Sequence, residues 1–317
     1  MDLSLHHVHE TSMKILVIGS NGQLGRCLRE QASAIFRSIV FTDKSTLDIT
    51  DFDQIITKVE ACSPDVVINA SAFTAVDTAE SFFSEANLVN HLAVENLADA
   101  CRKSDSFLFH VSTDYVFDGE KGRPYVETDQ TNPQTVYGAT KLDGEKKIIE
   151  SGCKSLIIRT SWVFSEHGGN FLKTMLRLGA QEDTVRVVED QIGCPTYAHD
   201  IARTIITLLP IANRPFESEK AQILNYCGKD SCSWYGFASA IFAEAKAAGL
   251  SCPRDLLPVP TKDFPTKAKR PSDTRLDCSK INQRYGIDGS DWLLGVKRVV
   301  SSLAGPGHTS GAVESAE

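Results

Sequence analysis

No apolar run in the 317-residue sequence approaches the ~20 residues of a membrane-spanning helix. The opening residues, MDLSLHHVHETS, lack the apolar core of a signal peptide. Positive charge is in deficit: the formal net charge is −8. That disfavours a nonspecific grip on nucleic acid or an anionic membrane, since both are polyanions. The nine cysteines include no C-x-x-C pair, which argues against a zinc site and a compact disulfide framework. Most sit in apolar surroundings, and they read as reduced core thiols of a cytoplasmic protein. There is no internal repeat. The N-x-S sequon Asn69-Ala70-Ser71 follows a strand expected to be buried, so no glycan is expected there. The leader 1–12, with His6, His7 and His9, and the tail 305–317 are expected to be disordered.

What the sequence does have is an ordinary globular composition, 42% hydrophobic and 23% charged. From Met13, short apolar runs alternate with helical patterns. KILVIG, SIVFTD, DVVINA, SFLFHVSTD and SLIIRTSWVF read as strands. Between them, segments such as AESFFSEANLVNHLAVENLADACRK, taken as one long helix, read as crossovers. Apolar runs without alternation suit strands covered on both faces, and helical crossovers require parallel pairing. The expectation is a doubly wound, Rossmann-like α/β fold. Residues 13–162 form its dinucleotide-binding domain, the chain returns to it near 185–212, and 163–304 make a smaller, mainly substrate-binding domain.

The first strand ends in GSNGQLG, placing Gly19, Gly22 and Gly25 at a strand–helix junction. Glycines there allow a tight turn and close approach of a pyrophosphate to the helix N-terminus. The second strand ends at Asp43, an acid suited to an adenosine ribose, but Lys44 follows and suits a 2′-phosphate. NADH and NADPH therefore both stay open. Asp48 reads either as an adenine contact or as the cap of the next helix.

NASAFTAVD (69–77) and STDYVFDG (112–119) follow the third and fourth strands, where this fold places ligands. The latter offers Ser112, Thr113 and Asp114. Tyr137 and Lys141, in VYGATK, lie one helical turn apart on one face. An ammonium ~4 Å from the phenol, at an effective dielectric of ~20, favours phenolate by up to ~4 kcal/mol. That would bring the tyrosine from ~10 to near 7. With a hydroxyl from Thr113 to polarise a carbonyl, the set is what hydride transfer to a ketone requires.

These residues resemble the extended short-chain dehydrogenase/reductase superfamily, and within it the dTDP-4-dehydrorhamnose reductases. The likeness is carried by KILVIGSNGQLG, PDVVINASAFTAVDTAE, STDYVFDG, ETDQTNPQTVYGATKLDGEK, IIRTSWVF, GGNFLKTMLRL and RPSDTRLD, over 13 to about 300. It implies NADPH- or NADH-dependent reduction of the C4 ketone of a dTDP-linked 4-keto-6-deoxy sugar, with Thr113, Tyr137 and Lys141 catalytic. Cofactor contacts then fall on Gly19, Gly22, Gln23, Leu24, Gly25, Asp43, Asp48, Ile49, Ala72, Phe73, Thr74, Tyr137 and Lys141. Substrate contacts fall on Thr113, Asp114 and Trp162. Phe73 replaces the histidine of the family pattern and Ile49 a phenylalanine. Some members bridge subunits of a homodimer with a metal such as Mg held by acidic residues; the resemblance places no such ligands on this chain.

Lys262, Lys267, Lys269, Arg270 and Arg275 concentrate positive charge and suit a nucleotide diphosphate or a solvated surface. Trp162 reads as a wall for the sugar or as core. Two further readings remain. YVFDG and YG-x-TKLDGEK also resemble the regulatory β subunit of methionine adenosyltransferase, a non-catalytic nucleotide binder. An epimerase or dehydratase on another nucleotide sugar would use the same fold.

Overall fold

The chain runs through β1 (Ile15–Ile18), α1 (Gln23–Ala32), β2 (Ile39–Thr42), α2 (Phe52–Cys62), β3 (Val66–Asn69), α3 (Val76–Ala79), α4 (Phe83–Asn87), α5 (Ala93–Lys103), β4 (Phe107–Thr113), α6 (Val136–Ser151) and β5 (Ser155–Thr160). Then follow β6 (Val163–Phe164), α7 (Phe171–Gln181), β7 (Thr184–Val188), β8 (Ile192–Gly193), β9 (Thr196–Tyr197), α8 (Ala198–Leu208), β10 (Ala221–Asn225), β11 (Cys232–Ser233), α9 (Trp234–Ala247), β12 (Asp255–Val259), α10 (Ser279–Tyr285) and α11 (Trp292–Ala304). This computed structural model describes residues 13–214 and 221–305. The leader 1–12 and the tail from 306 lie outside the described residues.

Six strands make one parallel sheet in the order β10-β5-β4-β3-β1-β2. Ile15, Val17, Val66, Ile68, Phe107 and Phe109 face α1, α8 and α10, meeting Leu24, Leu28, Ile201, Ile205 and Ile281. Leu16, Ile18, Val67, Leu108 and Ile157 face the other way, onto Ile55, Val59, Val94, Leu97 and Ile148. Both faces are covered, which is why the strands read as apolar runs without alternation. The doubly wound fold is the one expected. Asn69 is fully buried, so its sequon is out of reach of a glycan. All nine cysteines are free thiols, five of them buried.

Two expectations change. The single helix over 79–103 is α4 and α5 joined by a π-helical turn, Leu88–Leu92. The strand over 155–164 stops at Thr160, because Trp162 adopts φ 45° and turns the chain out of the sheet. Its last two residues, β6, pair instead with β9. Within 185–212, α8 brings Ile201 and Ile205 into the core shared with α1 and the sheet. β7 pairs with β12 outside it, whereas α8 packs on α1 and β10 forms the sixth strand. A second core gathers Leu172, Val185, Val187, Phe237, Ile241, Trp292 and Val296 from α7, β7, α9 and α11.

Helix α6 is fixed closely onto the sheet. Thr135 caps it, accepting from Gly138 N at 3.0 Å, and Gly152 ends it with φ 68°. Arg159 on β5 donates through Nε and Nη2 to Glu145 at 3.0 and 2.6 Å, with both side chains at most 3% exposed. Breaking a buried pair strands the remaining charge. Glu145→Ala is therefore expected to cost about 3–5 kcal/mol, read as a lowered urea midpoint with an unchanged m-value.

Candidate active site

The phosphate loop is built by steric exclusion. Gly19 has φ 82°, and a Cβ there would lie 2.7 Å from Ser71 N. A Cβ on Gly25 would lie 2.2 Å from Gly19 O. Gly22 is exposed at the head of α1, which has no side-chain cap. The backbone N–H groups of that first turn thus face outward, an arrangement that fits a pyrophosphate. The Gln23 side chain is engaged elsewhere: its Oε1 accepts from Asn170 Nδ2 at 2.8 Å and Ser165 Oγ at 3.1 Å. Leu24 is core. Both offer a ligand their backbone.

At the far end of the same sheet edge, β4 delivers Thr113 and Asp114, both buried. Thr113 Oγ1 donates to Asp114 Oδ1 at 3.0 Å and accepts from Tyr115 N at 3.2 Å. Tyr137, half-buried on the first turn of α6, stands edge-on to Tyr115 with ring centroids 5.9 Å apart. Its phenol is in hydrogen-bonding reach of the Thr113 hydroxyl. Gly138 makes this approach feasible, since a Cβ there would lie 2.1 Å from Tyr115 O. Ser112 Oγ, Asp114 Oδ2 and Thr160 Oγ1, at the ends of β4 and β5, are buried with no partner. Each such atom costs about 1–3 kcal/mol, so the site is set up for polar groups of a ligand.

The expected tuning of Tyr137 by Lys141 is corrected. Lys141 is 1% exposed, and its Nζ donates to Val111 O at 2.7 Å and lies 3.1 Å from His110 Nε2. It points into β4 rather than at the phenol. Burial instead pushes Tyr137 up to about 12, opposed by the Thr113 hydrogen bond. Burial also draws Lys141 down to about 8, against the pull of Glu145. Burial raises Asp114 to about 7, with hydrogen bonds from Thr274 and Thr113 opposing.

The other expected contacts are distributed along the cleft. Asp43 is already engaged: Oδ1 accepts from Ser45 N and Oγ at 2.9 and 2.6 Å, and Oδ2 from Asn21 Nδ2 at 2.7 Å. Lys44 beside it is exposed. Asp48 accepts from Thr50 and does not cap α2; Asp51 does, accepting from Gln54 N at 3.1 Å. Ile49 is 8% exposed and packs in the core. Ala72 and Phe73 are half-buried and Thr74 exposed. Trp162 stacks on Trp234 at 3.5 Å and lies against Gly193, so the second core backs it. Arg270 and Arg275 pair with Asp77 at 2.5 Å and Asp273 at 2.7 Å.

Sequence reasoning missed Asn90 on the π-helical turn. Its side chain accepts from Phe73 N at 2.9 Å and donates to Phe73 O at 3.0 Å and Thr140 Oγ1 at 3.2 Å. It thereby ties the loop after β3 to α6. The signal available was an asparagine amid an apolar helical stripe.

Metal-ligating side chains gather elsewhere, where Glu30, Glu166, His167 and His199 converge. His199 Nε2 lies 2.9 Å from Glu166 Oε1 and His167 Nε2 lies 2.8 Å from Glu30 Oε1. Gln31 Nε2, held by His199 O at 2.9 Å, donates to His199 Nδ1 at 3.2 Å. The ring proton is then on Nε2, toward Glu166, where a metal would need a lone pair. As arranged, this cluster ties α1, the loop before α7 and α8 together, with His167 Nε2 and Glu166 Oε2 buried and, among the described residues, without a hydrogen-bond partner.

Comparison with known proteins agrees with this geometry. The RmlD substrate binding domain family matches residues 13–304. The dTDP-4-dehydrorhamnose reductase of Aggregatibacter actinomycetemcomitans is 44% identical over 290 residues, 90% of this chain and 98% of that protein. The Escherichia coli K12 enzyme of the same name is 39% identical over 92% of this chain and 98% of its own. The crystal structure of dTDP-4-dehydrorhamnose reductase from Bacillus anthracis in complex with NADP superposes with TM-score 0.83 at 33% identity. It covers 91% of this chain and 99% of that one. On these grounds the chain belongs to the dTDP-4-dehydrorhamnose reductase family, oxidoreductases of the extended short-chain dehydrogenase/reductase superfamily.

Proposed function

We propose that this chain reduces the C4 ketone of dTDP-4-dehydro-6-deoxy-L-mannose to give dTDP-L-rhamnose, with NADPH as reductant and Tyr137 as proton donor. The observation that carries the reading is a phenol beside a threonine hydroxyl and an unpartnered carboxyl oxygen, on the sheet edge that also bears the open end of α1. Gly19, Gly22 and Gly25, with the backbone of Gln23 and Leu24, would hold the pyrophosphate. Asp43 is occupied by its own turn and Asn21, which leaves exposed Lys44 to meet a 2′-phosphate and favours NADPH. The dinucleotide, when bound, supplies the hydride. Ala72, Phe73 and Thr74 would line its path, their loop held by Asn90.

Thr113 orients the ketone oxygen and offers a dipole to the charge that develops on it. Tyr137 then gives the phenol proton to that oxygen. A phenol raised to about 12 keeps its proton throughout the neutral range. Transfer remains downhill, because an alkoxide is a stronger base than a phenolate. Asp114 is placed to engage a sugar hydroxyl through Oδ2, and Trp162, backed by Trp234, to bound the sugar.

Purified protein given NADPH and the dTDP-4-keto sugar is expected to oxidise the cofactor, with NADH slower. Tyr137→Phe is expected to lower kcat by about 10²–10⁴-fold. Normal turnover in that variant would remove Tyr137 from the chemistry, and no turnover in the parent would overturn the reading.

The pH profile separates tyrosine from lysine. Burial lowers Lys141 to about 8, so its positive charge is present below that pH and lost as pH rises through it. Tyr137, at about 12, stays protonated over the same interval. The alkaline limb of kcat/KM is expected near pH 8. A limb appearing only above pH ~10 would assign it to the phenol.

A further inference from the structure

Behind the catalytic helix, three buried polar side chains form a chain whose hydrogens can be counted. Asn69 and His110 are fully buried and Lys141 is 1% exposed. Asn69 Oδ1 accepts from Ser71 N at 3.1 Å and Ser71 Oγ at 2.6 Å, which fixes the carboxamide. Its Nδ2 therefore faces His110 Nδ1, 3.2 Å away. An amide nitrogen only donates, so Nδ1 accepts. Burial holds His110 far below the usual histidine range. A neutral ring carries one proton, here on Nε2, directed at Lys141 Nζ 3.1 Å away.

An ammonium at Nζ has three donors and no acceptor, so it would set N–H against N–H. An uncharged amine resolves the conflict. Its lone pair accepts from His110 Nε2, while one of its hydrogens goes to Val111 O at 2.7 Å. No carboxylate bonds to Nζ in this position. Glu145, one turn along α6, is the acid whose field reaches it, and Arg159 from β5 holds that carboxylate. Tyr137 on α6 and Asp114 at the end of β4 are the other titratable groups of the cleft.

We propose that His110 is a positioning residue for the reaction: with Asn69 behind it, its Nε2–H opposes an ammonium on Lys141 against β4 and so lowers the pH at which the resting lysine gives up its charge. Above that pH the lysine takes one proton from solvent, becoming an ammonium, as it moves off β4 toward Tyr137. His110 thus disfavours a charged lysine in the retracted position and favours the one that points into the cleft. This rests on the reductase reading for the role of Lys141, whereas the hydrogen count at His110 does not.

Two measurements on the full-length protein test it. Long-range ¹H–¹⁵N spectra of ¹⁵N-histidine-labelled protein report the tautomer, with His110 assigned as the signal lost in His110→Gln. The expected result is the Nε2–H form from pH ~6 to ~8; an Nδ1–H ring or an imidazolium overturns the proposal. In His110→Gln the amide can turn its oxygen to Nζ and so stabilise the ammonium. The alkaline limb of kcat/KM should then move up by about one pH unit. An unmoved limb overturns the proposal, whereas loss of packing alone would lower the rate without moving it. If the glutamine variant does not fold, Asn69→Asp provides the second route. It accepts from Nδ1–H and frees Nε2 to accept from the ammonium, so both the tautomer and the limb should shift. Failure of either shift overturns the proposal. Absence of reductase activity in the parent would defeat the functional reading alone, and the tautomer would still decide the pairing.

Discussion

The buried pair between Glu145 and Arg159 is the constraint on which the site depends. Tyr137, Lys141 and Glu145 recur every fourth residue and make one stripe of α6 facing the sheet. Glu145 is anchored to β5 by a bidentate contact with almost no exposure to water. A contact so desolvated is geometrically demanding, since misalignment leaves a charge unpaired in a poor solvent. It therefore sets the rotation and height of the helix. Gly138 and Gly144 permit the close approach: Cβ atoms there would lie 2.1 Å from Tyr115 O and 2.3 Å from Asn90 O. Once α6 is seated, the phenol has little choice but to stand by Thr113.

The same seating explains the π-helical turn at 88–92. One wider turn directs Asn90 inward, where its carboxamide holds both backbone groups of Phe73 and reaches Thr140 on α6. The loop after β3 would otherwise be an irregular segment on the wall of the cleft. Tied at Phe73, it becomes a fixed surface, and the less regular helix is offset by satisfied buried polar groups. The interruption of the helix and the order of the loop after β3 are thus one feature.

What was legible in the sequence is what local rules determine. GSNGQLG implies a glycine turn because Gly19 and Gly25 meet backbone at distances no Cβ survives, and Tyr137 and Lys141 share a face because helical geometry requires it. What was not legible depends on partners remote in the chain. Asn90 breaks an apparently continuous helix for the sake of Phe73, seventeen residues earlier. Trp162 leaves the β region to stack on Trp234. Asp48 and Asp51 are both plausible caps by type, and only the backbone geometry selects Asp51. Lys141 is the sharpest case. Spacing fixed where its Cα lies, yet a four-carbon side chain can turn several ways, and His110 and Val111 O on β4 decided which.

That last point changes how the tyrosine works. A phenol lowered toward 7 is half ionised at neutrality, which suits a base that removes a proton from an alcohol. A phenol raised to about 12 is a reservoir of protons, which suits an acid that quenches an alkoxide. The difference lies in whether positive charge stands beside the phenol or is withdrawn from it. With Lys141 turned onto β4, burial dominates and the acid form prevails. Movement of the lysine toward Tyr137 would lower the cost of phenolate just as the proton departs, assisting transfer without depleting the acid beforehand. In the resting arrangement, then, the phenol is held in the acid form that the reductive direction uses, because Lys141 is turned onto β4.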